Sequence, residues 1–458
     1  MSISWRIHIR ESLHLAVPVA IGQLGHIMLG VVDSLMVGSL GAVPLAGASL
    51  GHSVFVLLLV FAAGVASAIT PLTAIADGEG NAEEAGRVLR QGVQQNVLFG
   101  ISMVGVAWAM AGYLHMLGQP QDVVREATPY LRMMGLTFVP MLLFMSVRNF
   151  IEGLSFTRPA MYIVLAANLV NVGGNWVFIH GKLGMPAMGL TGAGLSSFLV
   201  ELFAAVAILI YLFRSRRFTA HLVFARTARF SADLQRRILR LGLPSGLQWL
   251  FEAGSFSFSA LMMGWIGTTA LAAHQIAINL AAISYMAILG ISNAATIRVG
   301  NAFGRKDAAN LRRAGYTAYL MAWTVMSLAA ISFVFMRQQL PALYVSDEAV
   351  VTLAASLLVI AALFQLSDGT QAVGLGILRG MTDVNVPLGI AIVAYWLIGV
   401  PASYLLAFEA GLGPEGVWLG FVAGLSVAGA SFIVRFRRQC ERLAHRWSAA
   451  ADGHQPLP

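Results

Sequence analysis

The sequence predicts an all-α polytopic membrane protein with twelve transmembrane helices in two pseudo-symmetric six-helix bundles. Three observations predict it. Charged residues make up 11% of the 458 residues and hydrophobic ones 58%, whereas a soluble chain is about a quarter charged. Apolar stretches of the length a bilayer-spanning helix needs recur twelve times. The chain also repeats itself. Sliding it by 226 positions without a gap superposes Leu15 on Leu241, Pro18 on Pro244, Leu24 on Leu250, Gly38 on Gly264, Gly41 on Gly267, Gly64 on Gly290, Gly78 on Gly304 and Arg87 on Arg313.

The stretches fall at 13–37, 45–75, 92–114, 129–151, 160–180, 188–213, 239–266, 271–299, 314–337, 350–378, 387–408 and 416–435. They divide the chain into a first lobe over 1–213, a basic linker over 214–238, a second lobe over 239–438 and a tail over 439–458. The first apolar segment follows Arg6 and Arg10, but it is too long for a signal-peptide core and is expected to stay as an uncleaved helix. Of the 29 lysines and arginines, 25 fall on one side of the implied membrane, leaving Arg125, Arg132, Lys182 and Arg337 on the other. That asymmetry puts both termini in the cytoplasm, as an even number of spans requires. It also accounts for the net charge of +8 without a nucleic-acid partner. The linker from Arg214 to Arg237 is read as a topology determinant and a tether to anionic lipid. The single cysteine, Cys440, permits no internal disulfide, and no structural metal is expected.

Ionisable residues inside spans are functional hypotheses by default. Asp33 lies near the outer end of the first helix in LGVVDSLMVGSLG; the plainer alternative is an acid that caps or snorkels at the helix end. The fifth span reads AANLVNVGGNWVFIHG. Asn171 and Asn175, four apart, share a face on which they can serve Asp33 or a cation, and Asn168 extends that face. Thr191 at the start of the sixth span could add a hydroxyl. Each amide taken alone also fits the part of interhelical glue. Glu201, well inside the sixth span, has only Ser197 one turn away on its own helix, and both a structural pair and a cavity-facing acid stay open.

In the second half Glu252 is the only charged side chain between Leu241 and Gly267. The eighth span reads LAAHQIAINLAAISYM: His274 fits a packing histidine or a titrating one, and Gln275 and Asn279 form a polar face toward a cavity. Asp368 is buried in the tenth span, and Arg379, eleven residues on, lies about 16 Å along a helix that rises ~1.5 Å per residue, too far to pair with it. Its candidate partners are Glu252, a metal cation or a proton. Two carboxylates in one dry cavity do not both stay ionised without a counter-charge. Each must take up a proton or a cation when its counter-ion leaves, which is the chemistry of exchange. The 20 methionines and 25 phenylalanines suit an adaptable apolar cavity, although most must be core or lipid-facing.

VVDSLMVGSLG in the first span, LPSGLQWLFE in the seventh, AAHQIAINL running to AATIRVGNAFG in the eighth and GILRGMTDV after the tenth resemble the multidrug and toxic compound extrusion (MATE) family, NorM-like branch, over nearly the whole chain. The resemblance implies two bundles in a V around a central cavity, in the inner membrane, exchanging small organic cations for Na⁺ or H⁺ with no cofactor. Carried over by position, Asp33 with Asn171, Asn175 and Thr191 resembles the first-lobe cation or proton site. Glu252 with Asp368 resembles the second-lobe site, where Na⁺ would be held transiently. Asn175 stands where some members have an acid, and Phe364, one turn before Asp368, where some Na⁺-coupled members have a tyrosine. Both differences remove an oxygen or a charge and bear on the coupling ion.

A flippase for lipid-linked precursors is the alternative transporter, but a pyrophosphate would want arginines in the cavity, where the deep charges are acids. An enzyme is not expected: the chain has no HExxH or phosphate-cradling loop.

Overall fold

The computed structural model describes residues 5–227 and 229–451. Among them there are helices and no strands, because a segment in hydrocarbon must satisfy its backbone hydrogen bonds within itself. Twelve long helices correspond to the twelve expected spans. In the first half they are α1 (Trp5–Gly38), α2 (Ala42–Gly78), α3 (Ala82–Leu117), α4 (Gln121–Gly153), α5 (Arg158–His180) and α6 (Gly189–Arg214). In the second half they are α7 (Ala232–Ile266), α8 (Thr268–Gly304), α9 (Ala308–Phe335), α10 (Glu348–Gly380), α11 (Asn385–Glu409) and α12 (Gly413–Ala451). Eleven are long and apolar enough to cross a membrane. The exception is α7, whose apolar run is interrupted by Gln248, Glu252, Ser255, Ser257 and Ser259. The last helix extends well past the expected span at 416–435, so the tail is helical as far as Ala451.

The sequence repeat is a repeat of local structure. Ala42 opens α2 and Thr268 opens α8, 226 positions on; Ala82 and Ala308 stand in the same relation at the starts of α3 and α9. The caps recur with them. Gly41 and Gly267, with φ of 111° and 152°, precede α2 and α8 in a conformation that favours glycine. Asn81 accepts a hydrogen bond from the Glu84 N–H and Asp307 from the Asn310 N–H, capping α3 and α9.

Proline makes the copies differ. Pro71 and Pro140 have no N–H for the carbonyls four residues back, and α2 breaks at Ser67–Ala68 and α4 at Thr137. The hydroxyls at the breaks donate to backbone, Ser67 to Gly64 O at 2.7 Å and Thr137 to Met134 O at 2.6 Å. The matching positions hold Ile297 and Leu366, and α8 and α10 run unbroken for 37 and 33 residues. In α11, π-helical stretches at Val393–Gly399 and Leu405–Glu409 flank Pro401.

Contacts divide the chain into two units: Ile21–Leu247, and the chain up to Ala20 with that from Gln248 onward. The divisions fall inside α1 and α7. The core of the Ile21–Leu247 unit gathers Phe55, Tyr130, Leu131, Phe138 and Leu142. The stretch read as a polar linker belongs to this unit as a helix, Thr219–Thr227, laid along α3. Phe218 just before it is fully buried among Phe150, Phe156 and Tyr211. Arg90 of α3 caps the far end, donating to Ala225 O at 3.2 Å and Arg226 O at 2.8 Å. In the other unit an aromatic cluster of Phe256, Phe364, Trp418 and Phe421 joins α7, α10 and α12. There Arg298 of α8 holds the start of α1, donating to His8 O at 2.5 Å, Ser12 Oγ at 2.7 Å and Glu11 Oε2 at 2.6 Å.

Each unit has one glycine of the repeat at a close helix crossing. A Cβ on Gly64 would lie 2.5 Å from Gly246 Cα, and one on Gly290 would lie 2.4 Å from Ala16 O. Both neighbours are backbone and cannot rotate away. Gly290→Val is therefore expected to destabilise the protein by about 1–3 kcal/mol through overpacking, read as a lower midpoint of heat-induced unfolding in detergent. Gly105→Ala, whose Cβ meets nothing within 4 Å, should leave the midpoint unchanged or raise it.

Candidate functional site

Within the Ile21–Leu247 unit, α1 presents Asp33 to one face of α5. The i, i+4 spacing of Asn171 and Asn175 aims both amides at a single carboxylate oxygen: Asn171 Nδ2 donates to Asp33 Oδ1 at 2.9 Å and Asn175 Nδ2 at 2.6 Å. From α6 the Ser197 hydroxyl donates to the other oxygen, Oδ2, at 3.3 Å. Asn171 and Asn175 are fully buried, and Asn175 Oδ1 is buried without a partner. His52 of α2 and Tyr130 of α4 are the nearest titratable groups that interact with Asp33. A carboxylate held by three neutral donors is oriented but keeps its charge uncompensated.

Ser197 takes the place expected for Thr191, which makes no hydrogen bond to Asp33. The sequence signal was available: a hydroxyl two turns into the sixth span on the same face as Glu201. Asn168 serves packing, donating to Gly25 O on α1 at 3.0 Å and to Val164 O at 2.9 Å.

The other unit holds the second pair of acids. Glu252 on α7 accepts from Gln371 Nε2 on α10 at 2.7 Å. Asp368, one turn earlier on α10, is buried and close enough to Glu252 for the two carboxyls to repel. Trp396 Nε1, in the first π-helical stretch of α11, donates to Phe251 O at 3.0 Å and fixes the backbone beside Glu252. Gln371 Oε1 and Tyr395 Oη are buried there without partners, and the Tyr395 hydroxyl interacts electrostatically with both acids. Sequence reasoning missed Gln371 and Tyr395, since a lone amide and a lone tyrosine in apolar helices carry no signal until they are placed beside an acid.

Of the polar residues of α8, Tyr285 interacts electrostatically with Glu252 and Asp368, but the three expected from the sequence do not join this group. His274 is buried with its ring edge-on to Trp418 at 5.7 Å, and Gln275 Nε2 donates to Asn279 Oδ1 at 3.2 Å in an exposed pair. Phe364, one turn before Asp368, packs in the aromatic cluster and supplies no oxygen.

Arginines inside the helices are bound elsewhere. Arg148, counted in the sequence with the basic loops, is buried in α4 and pairs with Glu152 at 2.7 Å; Glu152, four residues on, provides the partner. Arg298 pairs with Glu11 and Arg435 with Asp383. Arg379 lies over the Trp249 ring at 5.4 Å, within electrostatic reach of Glu252. Among the described residues Asp33, Glu252, Asp368 and Glu201 form no ion pair, and no group of three or more His, Cys, Asp or Glu side chains could hold a metal ion.

Comparison with known proteins agrees with this architecture. The MatE family model matches twice, at 18–177 and again at 244–405, two starts 226 positions apart. The chain is 37% identical over 437 residues to a Bradyrhizobium diazoefficiens protein named "Probable multidrug resistance protein NorM", covering 94% of each. It is 31% identical to "Multidrug resistance protein NorM" of Vibrio vulnificus, covering 92% of this chain and 94% of that one. Among solved structures it resembles a MATE protein in its bent conformation, with a TM-score of 0.89 at 21% identity over 98% of this chain and all of the other.

The donors around Asp33 make a stability prediction. Asp33→Asn keeps an acceptor for Asn171, Asn175 or Ser197 and should unfold near the wild-type temperature in detergent. Asp33→Leu removes the carboxylate acceptor of the buried Asn171 and Asn175 amides, while Ser197 keeps Ala193 O, and should cost about 1–3 kcal/mol for each amide left unpaired, giving a clear drop in the same thermal measurement.

Proposed function

The chain belongs to the MatE family of membrane transporters, and from that premise we propose that it is a secondary antiporter exporting organic cations across the inner membrane in exchange for H⁺ or Na⁺. One observation carries the reading: each unit keeps carboxylates inside membrane-spanning helices, held by neutral donors and unpaired with any arginine. Such a charge is costly in a medium of low dielectric. It favours a positive guest, and a lipophilic cation and a coupling ion can each be that guest. When both neutralise the same acid, their occupancies exclude one another. Exchange then follows from charge balance, with the two halves alternating between outward and inward access.

In this reading Asp33, with Asn171, Asn175 and Ser197, takes a proton or a cation in one unit, and Glu252 with Asp368 and Gln371 takes a cation in the other. The names of the NorM relatives support drugs as the exported class. The arginine asymmetry supports a cytoplasmic location for both termini. An anionic lipid-linked substrate would want several free guanidinium groups in the cavity; Arg148, Arg298 and Arg435 are already paired, and the charge of Arg379 is offset by the nearby Glu252. The driving force is adequate: one charge moved through 100 mV supplies ~2.3 kcal/mol, roughly a 50-fold substrate ratio.

Efflux of ethidium from proteoliposomes under an imposed pH gradient, and separately under a Na⁺ gradient, tests this. At least one gradient should drive transport, and Asp33→Asn or Glu252→Gln should each reduce it to the level of empty vesicles. Full transport in both variants, at wild-type levels of incorporated protein, would overturn the assignment.

A further inference from the structure

Glu201 is the acid inside a span that the exchange sites leave unused; the residue is half-buried, with its Oε2 enclosed. On α6 the side chains of Leu202, Phe203, Val206 and Ile210 are exposed, while Val200, Ala204, Ala205 and Ile208 are buried. At 100° per residue Glu201 points into the middle of the buried arc, with Ala205 one turn on and Ser197 one turn back. Its Oε2 is buried without a hydrogen-bond partner. The helices packed on α6 are α2, α4 and α5. Their nearby titratable groups are engaged otherwise: His52 and Tyr130 interact with Asp33, and Arg148 pairs with Glu152. Among the described residues no charged group interacts with Glu201.

Ser197 stands between the two acids. Its Oγ lies 3.3 Å from Asp33 Oδ2 and 3.1 Å from Ala193 O. A hydroxyl donates one proton and keeps lone pairs to accept another. Helical side chains lean toward the N-terminus, so Glu201 leans back toward the turn that carries Ser197, with Cβ atoms about 5–6 Å apart at this spacing; no hydrogen bond joins the two side chains in this structure, and a rotation of the glutamate closes the gap.

We propose that Glu201 exchanges a proton with Asp33 through the Ser197 hydroxyl. In the forward direction the Glu201 carboxyl gives its proton to Ser197 Oγ as the Ser197 O–H proton passes to Asp33 Oδ2. Glu201 is left as carboxylate and Asp33 as acid, with the serine unchanged. The reverse transfer carries the proton from Asp33 when a cationic substrate displaces it. The inference rests on the antiport reading and adds a relay to its first-unit site. Glu201 is a relay residue that handles the exchanged proton and does not touch the organic substrate. The second copy has no counterpart, since Val427 occupies the matching position and is exposed.

The test is proton release on ethidium binding by the full-length protein in weakly buffered detergent, followed by stopped flow with a pH indicator. Wild type should release protons on mixing, and Asp33→Asn should lose the release that depends on Asp33. Glu201→Gln should keep an ethidium affinity close to wild type while slowing that release roughly ten-fold or more, Ser197→Ala should slow it comparably when measured at saturating ethidium, and Glu201→Asp should restore most of the rate. Wild-type release rates in Glu201→Gln and Ser197→Ala, with Asp33→Asn deficient, would overturn the relay and leave the antiport reading standing. Undiminished release in Asp33→Asn would overturn both. Should Glu201→Gln not fold, Ser197→Ala cuts the same relay at its centre and decides alone.

Discussion

A carboxylate kept in a membrane-spanning helix without a cation beside it is the constraint on which the rest of this structure depends. At Asp33 two amides and a hydroxyl supply direction and leave the charge uncompensated. At Glu252 a single amide does the same, with Asp368 adding a second negative group. Of the arginines in the surrounding helices, three are spent on Glu152, Glu11 and Asp383, and Arg379, lying over the Trp249 ring, acts on Glu252 at a distance without an ion pair. Pairing of that kind closes a site, because an ion pair has no remaining use for a guest. Neutral donors leave it open.

The scaffold is duplicated and the chemistry is not. Helix starts, capping residues and the close-packed glycines Gly64 and Gly290 recur at 226 positions, since these features serve chain geometry that both halves share. The acids do not recur. Asp33 corresponds to Ser259, which is buried and donates to Ser255 O, and Glu252 corresponds to His26, which packs against Phe144. Glu201 corresponds to an outward-facing Val427. Proline follows the same division, breaking α2 and α4 in the first half only. Two unlike sites on like frames are what exchange of unlike cations calls for.

Much of the fold could be read from the chain, because bilayer thickness imposes a length and hydrocarbon imposes helix. All twelve long helices were legible, with the differences lying at helix ends, such as the end of α12. The linker was misjudged for a physical reason: its arginines dominate its composition, but one buried phenylalanine, Phe218, and the carbonyl cap from Arg90 decide where it lies. The pairing of Arg148 with Glu152 was not legible either, because both are buried together and burial is not a property of composition.

By itself the sequence determined the helices, their number, the repeat and the identity of the buried acids, since each depends on local hydropathy, glycine, proline and capping chemistry. It also determined that Asn171 and Asn175 would share a face, which helical periodicity guarantees. Only the tertiary structure decided which groups meet those acids. Ser197 rather than Thr191 reaches Asp33, Gln371 reaches Glu252, and His274, Gln275 and Asn279 turn elsewhere. Hydrogen bonds between helices depend on rotation and depth to within an ångström or so, and no pattern along one helix specifies its angle against the next.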